Sequence, residues 1–211
     1  MIEIANKVNE VLGFPLADVF EKDLTVALET AKEAEAVIIA MLDLDNFMQI
    51  NDAFGQSEGD RILIETGQFL ASKLSNVGKV YRYGGDAFSI LYNQGIEKEE
   101  VFLMLESARK EYSVKAKDNT AISISIGISA APEDSIRYSE LVRKAEGAMV
   151  RAKLAGKNRI CLAREEKMVT KTSHYTVEQL QRLGKLSKME GLGEAVLLRE
   201  ALDAMLKKYD V

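Results

Sequence analysis

The sequence predicts an α/β domain built on a central mixed sheet flanked by helices, followed by a small C-terminal module. Strand-like and helix-like segments alternate over the first three quarters of the chain, as they do in α/β sandwiches. Within that alternation, a Gly-Gly pair between two strand-like runs indicates an antiparallel hairpin. The charge balance also changes along the chain, because residues 164–211 carry 9 basic and 8 acidic side chains whereas the whole chain has a net charge of −5. We therefore expect two domains, at 1–163 and 164–211.

Apolar patterns and breaking residues place the elements before the hairpin. Residues 1–34 have a helical composition, and Phe14-Pro15 separates one helix from the next. The short apolar run 37–42 predicts a buried central strand. Residues 47–74 predict helix, with a turn at the two glycines of segment 55–59.

The hairpin and the elements after it complete the predicted sheet. Residues 121–129 alternate apolar with small polar side chains, which predicts a half-buried strand. Gly156 predicts the end of a helix, because glycine adopts the left-handed conformation found just past many helices. The predicted elements are hairpin strands at 79–83 and 88–92, a helix at 97–116, the strand at 121–129, a helix at 138–154 and a closing strand at 158–162.

The C-terminal module is predicted as one strand and two helices. Residues 168–175 are extended, and Thr176 with Gln179 has the spacing of a capping box at a helix start. Three leucines then recur at helical spacing. Residues 190–193 contain two glycines that end this helix, and a second helix follows at 194–208.

Composition restricts the class of protein. An apolar fraction of 47% supports a globular core, and the net negative charge argues against nucleic-acid binding by the whole surface. The single cysteine, Cys161, excludes an internal disulfide and fits a reducing compartment. The longest apolar run, 36–42, is too short to cross a bilayer, and the N-terminus has no signal-peptide pattern. We therefore expect a cytoplasmic protein without a membrane partner.

Acidic side chains follow the predicted central strand and occupy the hairpin tip. Asp43 and Asp45 come just past that strand, where ligands collect in α/β sheets. Asp86 lies at the tip and is followed by Ala87, whose methyl group carries no chemistry. Carboxylates in such places suit Mg²⁺, which takes a few oxygen ligands together with substrate phosphates. Solvated turn aspartates are the alternative for Asp43 and Asp45.

Four more side chains suit a guanine nucleotide. Asp60 can accept from the N1 and N2 donors of guanine, and the Asn51 amide can pair with O6 or N3. Helix capping and turn formation are the alternative for both residues. Lys153 and Lys157 can hold phosphates as point charges, and an ordinary solvated helix end is their alternative.

Six short motifs carry a family resemblance. They are Asp43-Leu-Asp-Asn-Phe47, Ile50-Asn-Asp52, Gly55-xxx-Gly59-Asp60, Arg82-Tyr-Gly-Gly-Asp86, Ser123-Ile-Ser-Ile-Gly127 and Ala152-Lys-Leu-Ala-Gly-Lys-Asn-Arg159. In order and spacing they resemble the GGDEF family of diguanylate cyclases, which have a palm-like fold. The resemblance covers roughly residues 5–163 and implies GTP, or a related guanine nucleotide, as ligand with Mg²⁺. The implied residues are Asp43, Asp86 and the Leu44 carbonyl for Mg²⁺, Asn51 and Asp60 for guanine, and the Phe47 backbone, Lys153 and Lys157 for phosphates.

The sequence also departs from the family pattern. Ala87 stands where the family has a glutamate that is credited with activating the 3′-hydroxyl or completing the metal site. General-base help is worth about 10²–10⁴-fold, so its loss is severe. Met48 replaces a phosphate-contacting lysine, and the inhibitory Arg-x-x-Asp motif would fall at Ser75 and Gly78 and is absent. We therefore expect a degenerate domain that binds the nucleotide but makes no cyclic di-GMP.

Three segments of the C-terminal module carry a second resemblance: residues 171–183, Gly191-Leu-Gly193 and Leu197-Leu-Arg-Glu-Ala-Leu202. Together they resemble a ribbon-helix-helix (βαα) DNA-binding domain. About 45 residues with one strand cannot form a stable core alone, so the strand would pair with its twin in a homodimer. The resulting ribbon would fit the major groove of double-stranded DNA. A plain dimerisation tail is the alternative for the module, and an exposed strand residue is the alternative for His174. The implied DNA contacts are Thr170, Lys171, Thr172 and His174 on the strand, and Gly193 and Glu194 at the start of the second helix.

The two resemblances combine into one functional prediction. We expect a homodimeric transcription regulator that senses a guanine nucleotide, with GTP favoured, and binds operator DNA. Two alternatives stay open. One is a weakly active diguanylate cyclase or slow GTP hydrolase that uses Asp43 and Asp86. The other is a nucleotide-binding scaffold dimerised by its tail.

Overall fold

A computed structural model describes residues 2–32, 35–92, 95–164, 171–190 and 193–209. The chain divides into two compact units, Met1–Glu165 and Glu166–Val211. None of the helices in these described ranges is long and apolar enough to span a membrane. The elements are α1 (Ile2–Leu12), α2 (Ala17–Thr30), β1 (Val37–Leu44), α3 (Phe47–Phe54), α4 (Gln56–Leu74), β2 (Gly78–Gly84), β3 (Ala87–Tyr92), α5 (Lys98–Glu111), β4 (Ile124–Ala131), α6 (Tyr138–Leu154), β5 (Ile160–Leu162), α7 (Val177–Glu190) and α8 (Glu194–Lys208).

The five strands form one mixed sheet in the order β2-β3-β1-β4-β5, which confirms the predicted α/β domain with a central mixed sheet. The central strand β1 pairs antiparallel with β3 and β4, β2 pairs antiparallel with β3, and β5 pairs parallel with β4. The β2–β3 hairpin turns at Gly84 and Gly85, whose φ angles are 144° and 50°. Side chains with a Cβ avoid these angles, so the Gly-Gly pair makes the tight turn possible.

Alternate residues of β1 face opposite helix layers. Even-numbered residues such as Ile38 and Leu42 pack in the core formed with α1, α4 and α5. Odd-numbered residues such as Ile39 and Met41 pack in the core formed with α2 and α6. Because strand side chains alternate between faces, Asp43 lies on the α6 side of the sheet.

Two strand predictions are corrected by the structure. β1 extends to Leu44, so Asp43 lies within the strand and not past it. The strand predicted at 121–129 begins at Ile124 and is buried on both faces. Its small polar side chains find buried acceptors, since the Ser129 hydroxyl donates to the Leu141 carbonyl at 2.8 Å. A hydroxyl satisfied in this way needs no water, so the alternation did not indicate an exposed face.

Two helix boundaries also differ from the prediction. α5 ends at Glu111, where residue 116 was expected. The turn expected at 55–59 is reduced to Gly55, with a φ of 84°, and α4 starts at Gln56. Gly59 is therefore a residue of the helix interior. A single left-handed glycine is enough to change the chain direction here, which the spacing of two glycines did not reveal.

The second unit contains the two predicted helices, α7 and α8. The predicted capping box is confirmed, because the Thr176 N–H donates to Gln179 Oε1 at 2.9 Å and the Gln179 N–H donates to Thr176 Oγ1 at 3.2 Å. Of the predicted strand, residues 168–170 lie outside the described residues, and residues 171–175 have no regular structure. A strand needs partners for its backbone N–H and C=O groups, and the described part of this unit has no second strand to supply them.

Candidate functional site

Two carboxylates and one ammonium group meet at the end of β1. Lys153 Nζ, from α6, lies 2.6 Å from Asp43 Oδ1. Burial and the nearby charge of Asp86 raise the pKa of Asp43 to about 6, although Lys153 acts in the opposite direction. The Leu44 N–H donates to the Asp86 carbonyl at 3.4 Å, which joins the strand end to the hairpin tip. Three of the predicted site residues, Asp43, Asp86 and Lys153, are thus brought together.

Asp45 has a different environment from Asp43, although both were considered for Mg²⁺. Its carboxylate is buried and accepts from the Ser123 and Ser125 hydroxyls at 2.6 and 2.7 Å. It also accepts from the Asn158 N–H at 3.0 Å. These contacts tie the end of β1 to β4 and to the segment before β5, so Asp45 holds the scaffold of the site.

A buried arginine, Arg82, holds the hairpin tip. It belongs to one of the sequence motifs, but the sequence suggested no role for it. Its guanidinium donates to the Gly85 carbonyl and, at 3.1 Å, to the Ala87 carbonyl. The guanidinium carbon lies 4.9 Å from the centroid of the Phe88 ring, within the range of a cation–π contact. A basic residue between the apolar positions of a strand was the available signal for this role.

Asn51 and Asp60, the residues predicted to read guanine, lie on the consecutive helices α3 and α4. Among the described residues, Asn51 Oδ1 is buried without a hydrogen-bond partner. Burial lowers the pKa of Arg82, whereas the charges of Asp86 and Asp60 act to raise it. The charges of Asp86 at the hairpin tip and of Asp60 on α4 therefore both act on the Arg82 guanidinium. The unpaired Asn51 Oδ1 is costly for the fold, because a buried acceptor without a donor has lost its hydrogen bonds to water.

Two of the three predicted phosphate contacts, Lys157 and the Phe47 backbone, lie around the start of α3. Lys157 Nζ donates to Asn46 Oδ1, and Asn46 has a left-handed φ of 61° immediately before Phe47. Ile50 is the first residue of α3 whose N–H bonds within the helix, to the Asn46 carbonyl at 3.2 Å. The N–H of Phe47 therefore has no intrahelical acceptor and points toward the N-terminal end, which favours anions.

Ala87 lies opposite Asp43 in the antiparallel pair of β1 and β3. Such residues point to the same face, with Cβ atoms about 4.5–5.5 Å apart, so a glutamate at position 87 would lie beside Asp43. In the part of the chain that the structure describes, no cluster of three acidic, histidine or cysteine side chains could hold a metal. Mg²⁺ often binds through one or two carboxylates plus substrate phosphates, so Asp43, Asp86 and the Leu44 carbonyl fit that ion. Its charge would also offset the repulsion between Asp43 and Asp86.

The residues predicted to contact DNA are placed only in part. Lys171, Thr172 and His174 are exposed and lie in no strand, and Thr170 lies outside the described residues. Gly193 and Glu194 are exposed where α8 begins, as predicted. The structure therefore does not bring the two groups onto a ribbon.

The two helices of the second unit leave large apolar side chains exposed. Leu180, Leu202 and Met205 expose 46%, 58% and 52% of their surface. Among the described large apolar side chains of α7 and α8, Leu197 alone is buried. The described residues of this unit therefore form no core of their own.

One family match lies within the first unit. The model of the family described as "Diguanylate cyclase, GGDEF domain" matches residues 13–159. Diguanylate cyclase DosC of Escherichia coli K12 is 30% identical over 148 residues, which make up 69% of this chain and 32% of DosC. The signaling protein YkoW of Bacillus subtilis is 36% identical in an alignment of 130 residues that covers 58% of this chain and 16% of YkoW. The chain thus spans a third or less of the length of these two relatives.

Solved structures agree with the sequence comparisons. The GGDEF domain of PA1120 (YfiN or TpbB) from Pseudomonas aeruginosa superposes with a TM-score of 0.69 at 26% identity, over 74% of this chain and 99% of that domain. The coiled coil and GGDEF domain of DgcB from Caulobacter crescentus, solved in complex with c-di-GMP, has a TM-score of 0.65 at 26% identity, over 73% and 84% of the two chains. The mixed five-stranded sheet flanked by helices is therefore the palm-like fold of these domains.

Proposed function

The chain belongs to the GGDEF family of diguanylate cyclases over residues 13–159, and on that premise we propose that this domain binds GTP with Mg²⁺ and converts it slowly to cyclic di-GMP. One observation carries the proposal. Asp43, Asp86 and Lys153 lie close together at the end of β1, whereas Ala87 puts a methyl group opposite Asp43. We therefore expect GTP binding without the carboxylate that would speed the reaction.

Nucleotide binding is supported by what the site residues offer. The Asn51 amide can donate from Nδ2 to O6 or N3 of guanine, since its Oδ1 is buried beside Gly59, and Asp60 can accept from the N1 and N2 donors. The Lys153 ammonium group contacts Asp43, and it can bind a phosphate instead once a divalent cation neutralises that carboxylate. The free N–H of Phe47 suits another phosphate oxygen. Bound with the triphosphate, Mg²⁺ would neutralise its charge and favour departure of pyrophosphate.

Slow turnover is expected from the residues near Asp43. A carboxylate at position 87 would accept the proton of an attacking hydroxyl or complete the metal site, and a methyl group does neither. Sequence reasoning favoured complete loss of activity and a role in transcription. The alternative drawn from the sequence was weak cyclase activity. The similarity to diguanylate cyclases favours that alternative, and we adopt it.

Restoring the acid tests the proposal. Purified protein is mixed with GTP and Mg²⁺, binding is measured by calorimetry, and cyclic di-GMP is quantified by chromatography. We expect Ala87→Glu to raise the rate about 10²-fold or more, and Ala87→Gln, a control of equal size without charge, to leave it near wild type. If the wild-type chain does not bind GTP, or if the Glu and Gln variants form product at the same rate, the proposal is wrong.

A second proposal concerns the C-terminal unit, which we infer to join two copies of the chain. The exposed apolar side chains of α7 and α8 would be buried against the same helices of a second copy, since the described part of this small unit forms no core. The chemistry also favours two copies, because cyclic di-GMP is made from two GTP molecules. Light scattering should give a dimer for the wild type and a monomer for a variant with Leu202→Glu and Met205→Glu. A wild-type monomer at micromolar concentration would contradict this.

The DNA-binding role stays a prediction of the sequence alone. The family match ends at residue 159, before the C-terminal unit. Sequence-specific retardation of a promoter fragment by the wild-type chain, lost on replacing Lys171 and His174 with alanine, would support a role in transcription. Binding that shows no sequence preference at physiological salt would count against it.

A further inference from the structure

The Asn51 amide occupies space that a side chain at residue 59 would need. A Cβ atom added to Gly59 would lie 2.0 Å from Asn51 Oδ1 and 3.0 Å from Asn51 Cγ. It would also lie 3.0 Å from Cζ of Phe47. Real Cβ atoms do not approach other atoms to 2.0 Å, so the amide and a side chain at position 59 exclude one another.

Backbone conformation does not explain the glycine. Gly59 lies inside α4 and is absent from the glycines with positive φ, whereas Gly55, four residues earlier, has a φ of 84° and open space around its Cβ position. Glycine within a helix is disfavoured relative to alanine because it loses more conformational freedom on folding. The helix alone would favour alanine at position 59, and the space needed by Asn51 is the feature that opposes it.

The backbone around Gly59 is held more firmly than the Asn51 side chain. The N–H groups of Glu58 and Gly59 donate to the Gly55 carbonyl at 3.1 and 3.4 Å. Glu58 is buried, and its carboxylate accepts two hydrogen bonds from Arg61 at 2.7 and 3.1 Å. A side chain at position 59 would therefore displace the far end of Asn51 and leave α4 in place.

We propose that Gly59 is a positioning residue for base selection, because its lack of a side chain lets the Asn51 amide stay where it meets the guanine edge. This inference rests on the proposed function, since it takes Asn51 to contact the base. Gly59 itself touches no substrate. It acts through Asn51, and its neighbour Asp60 offers a carboxylate to the N–H donors of guanine from the same turn of α4.

A double-mutant cycle on the full chain tests the proposal. Binding of GTP and of ATP is measured by calorimetry for the wild type, Gly59→Ala, Asn51→Ala and the double variant. We expect Gly59→Ala to weaken GTP binding about tenfold and to leave ATP binding within about twofold, as loss of a base-reading contact would do. In the Asn51→Ala background, Gly59→Ala should change GTP binding by less than about twofold. An equal loss in both backgrounds, or an equal loss for GTP and ATP, would overturn the proposal.

A matched control uses the same substitution in the same helix. The Cβ of Gly67→Ala would meet the Leu12 side chain at 2.6 Å, so this variant disturbs apolar packing and should leave the ratio of GTP to ATP affinity unchanged. Thermal unfolding of each variant shows whether the fold is kept. If the wild type binds neither nucleotide, the proposed function fails and base selection by Gly59 fails with it. The unfolding free energies of the four proteins of the cycle can also be measured without nucleotide. If the effects of the two substitutions on them are not additive, the packing of Asn51 against Gly59 would still be supported.

Discussion

Asp43 and Asp45 are two residues apart, and the structure predicts opposite effects when they are replaced. Asp45→Ala removes a buried carboxylate that accepts three hydrogen bonds, from the hydroxyls of Ser123 and Ser125 and from the Asn158 N–H. Hydrogen bonds to a charged group contribute about 1.5–3 kcal/mol each, but freed hydroxyls can turn to new acceptors, so the contributions do not add in full. We expect a loss of about 3–5 kcal/mol in the free energy of unfolding.

For a unit of this size, such a loss lowers the unfolding midpoint by about 6–20 °C, which circular dichroism measures directly. Asp43→Asn is the matched control. Burial and the charge of Asp86 raise the pKa of Asp43 from 3.8 to about 6, so above that pH the ionised carboxylate destabilises the fold by up to about 3 kcal/mol. This penalty disappears below pH 3.8, where the group is protonated in both the folded and the unfolded chain.

At pH 8 without Mg²⁺, Asp43→Asn is therefore expected to unfold no earlier than the wild type, since its neutral amide avoids the penalty. The same variant should lose Mg²⁺-dependent GTP binding. An unfolding midpoint of Asp45→Ala within about 2 °C of the wild type, or a larger loss for Asp43→Asn than for Asp45→Ala, would refute the division between a scaffold acid and a ligand-binding acid.

Three more predictions follow from single contacts. Hydrogen bonds from Arg109 lower the pKa of Glu106 from 4.5 to about 2, so this pair stabilises the fold above pH 4.5 and the contribution is lost as the pH falls toward 2. Glu106→Gln should lower the free energy of unfolding by on the order of 1 kcal/mol at pH 7, since solvent screens this partly exposed pair. Denaturant titrations should show that the difference between variant and wild type disappears as the pH falls toward 2. Arg82→Met removes the donor to two carbonyls of the hairpin tip and should weaken Mg²⁺–GTP binding about tenfold by calorimetry, with unchanged affinity contradicting the role of Arg82. Thr176→Ala removes the capping box of α7 and should destabilise this helix by about 1 kcal/mol, which circular dichroism would detect as lower helical content. Thr176→Ser keeps the hydroxyl and should retain the wild-type helical content.

Much of the fold was predictable because its determinants are local or periodic. The β2–β3 hairpin was predicted from two glycines between strand-forming runs, and its turn uses their positive φ angles. The capping box of Thr176 and Gln179 involves residues three apart, so the sequence alone specified it. Strands without partners are less predictable, which is why residues 171–175 form no strand in the single chain.

The sequence by itself determined the order of helices and strands, the Gly-Gly turn and the residue types suited to Mg²⁺ and guanine. Only the tertiary structure decided what each of these residues does. Asp45 is a scaffold residue because donors 78 and 80 residues away reach it, and Ala87 matters because the strand register places it opposite Asp43. The space beside Gly59 is likewise visible only once α3 and α4 are packed. A pattern along the chain reports local conformation, whereas the environment of a side chain depends on contacts between residues that folding brings together.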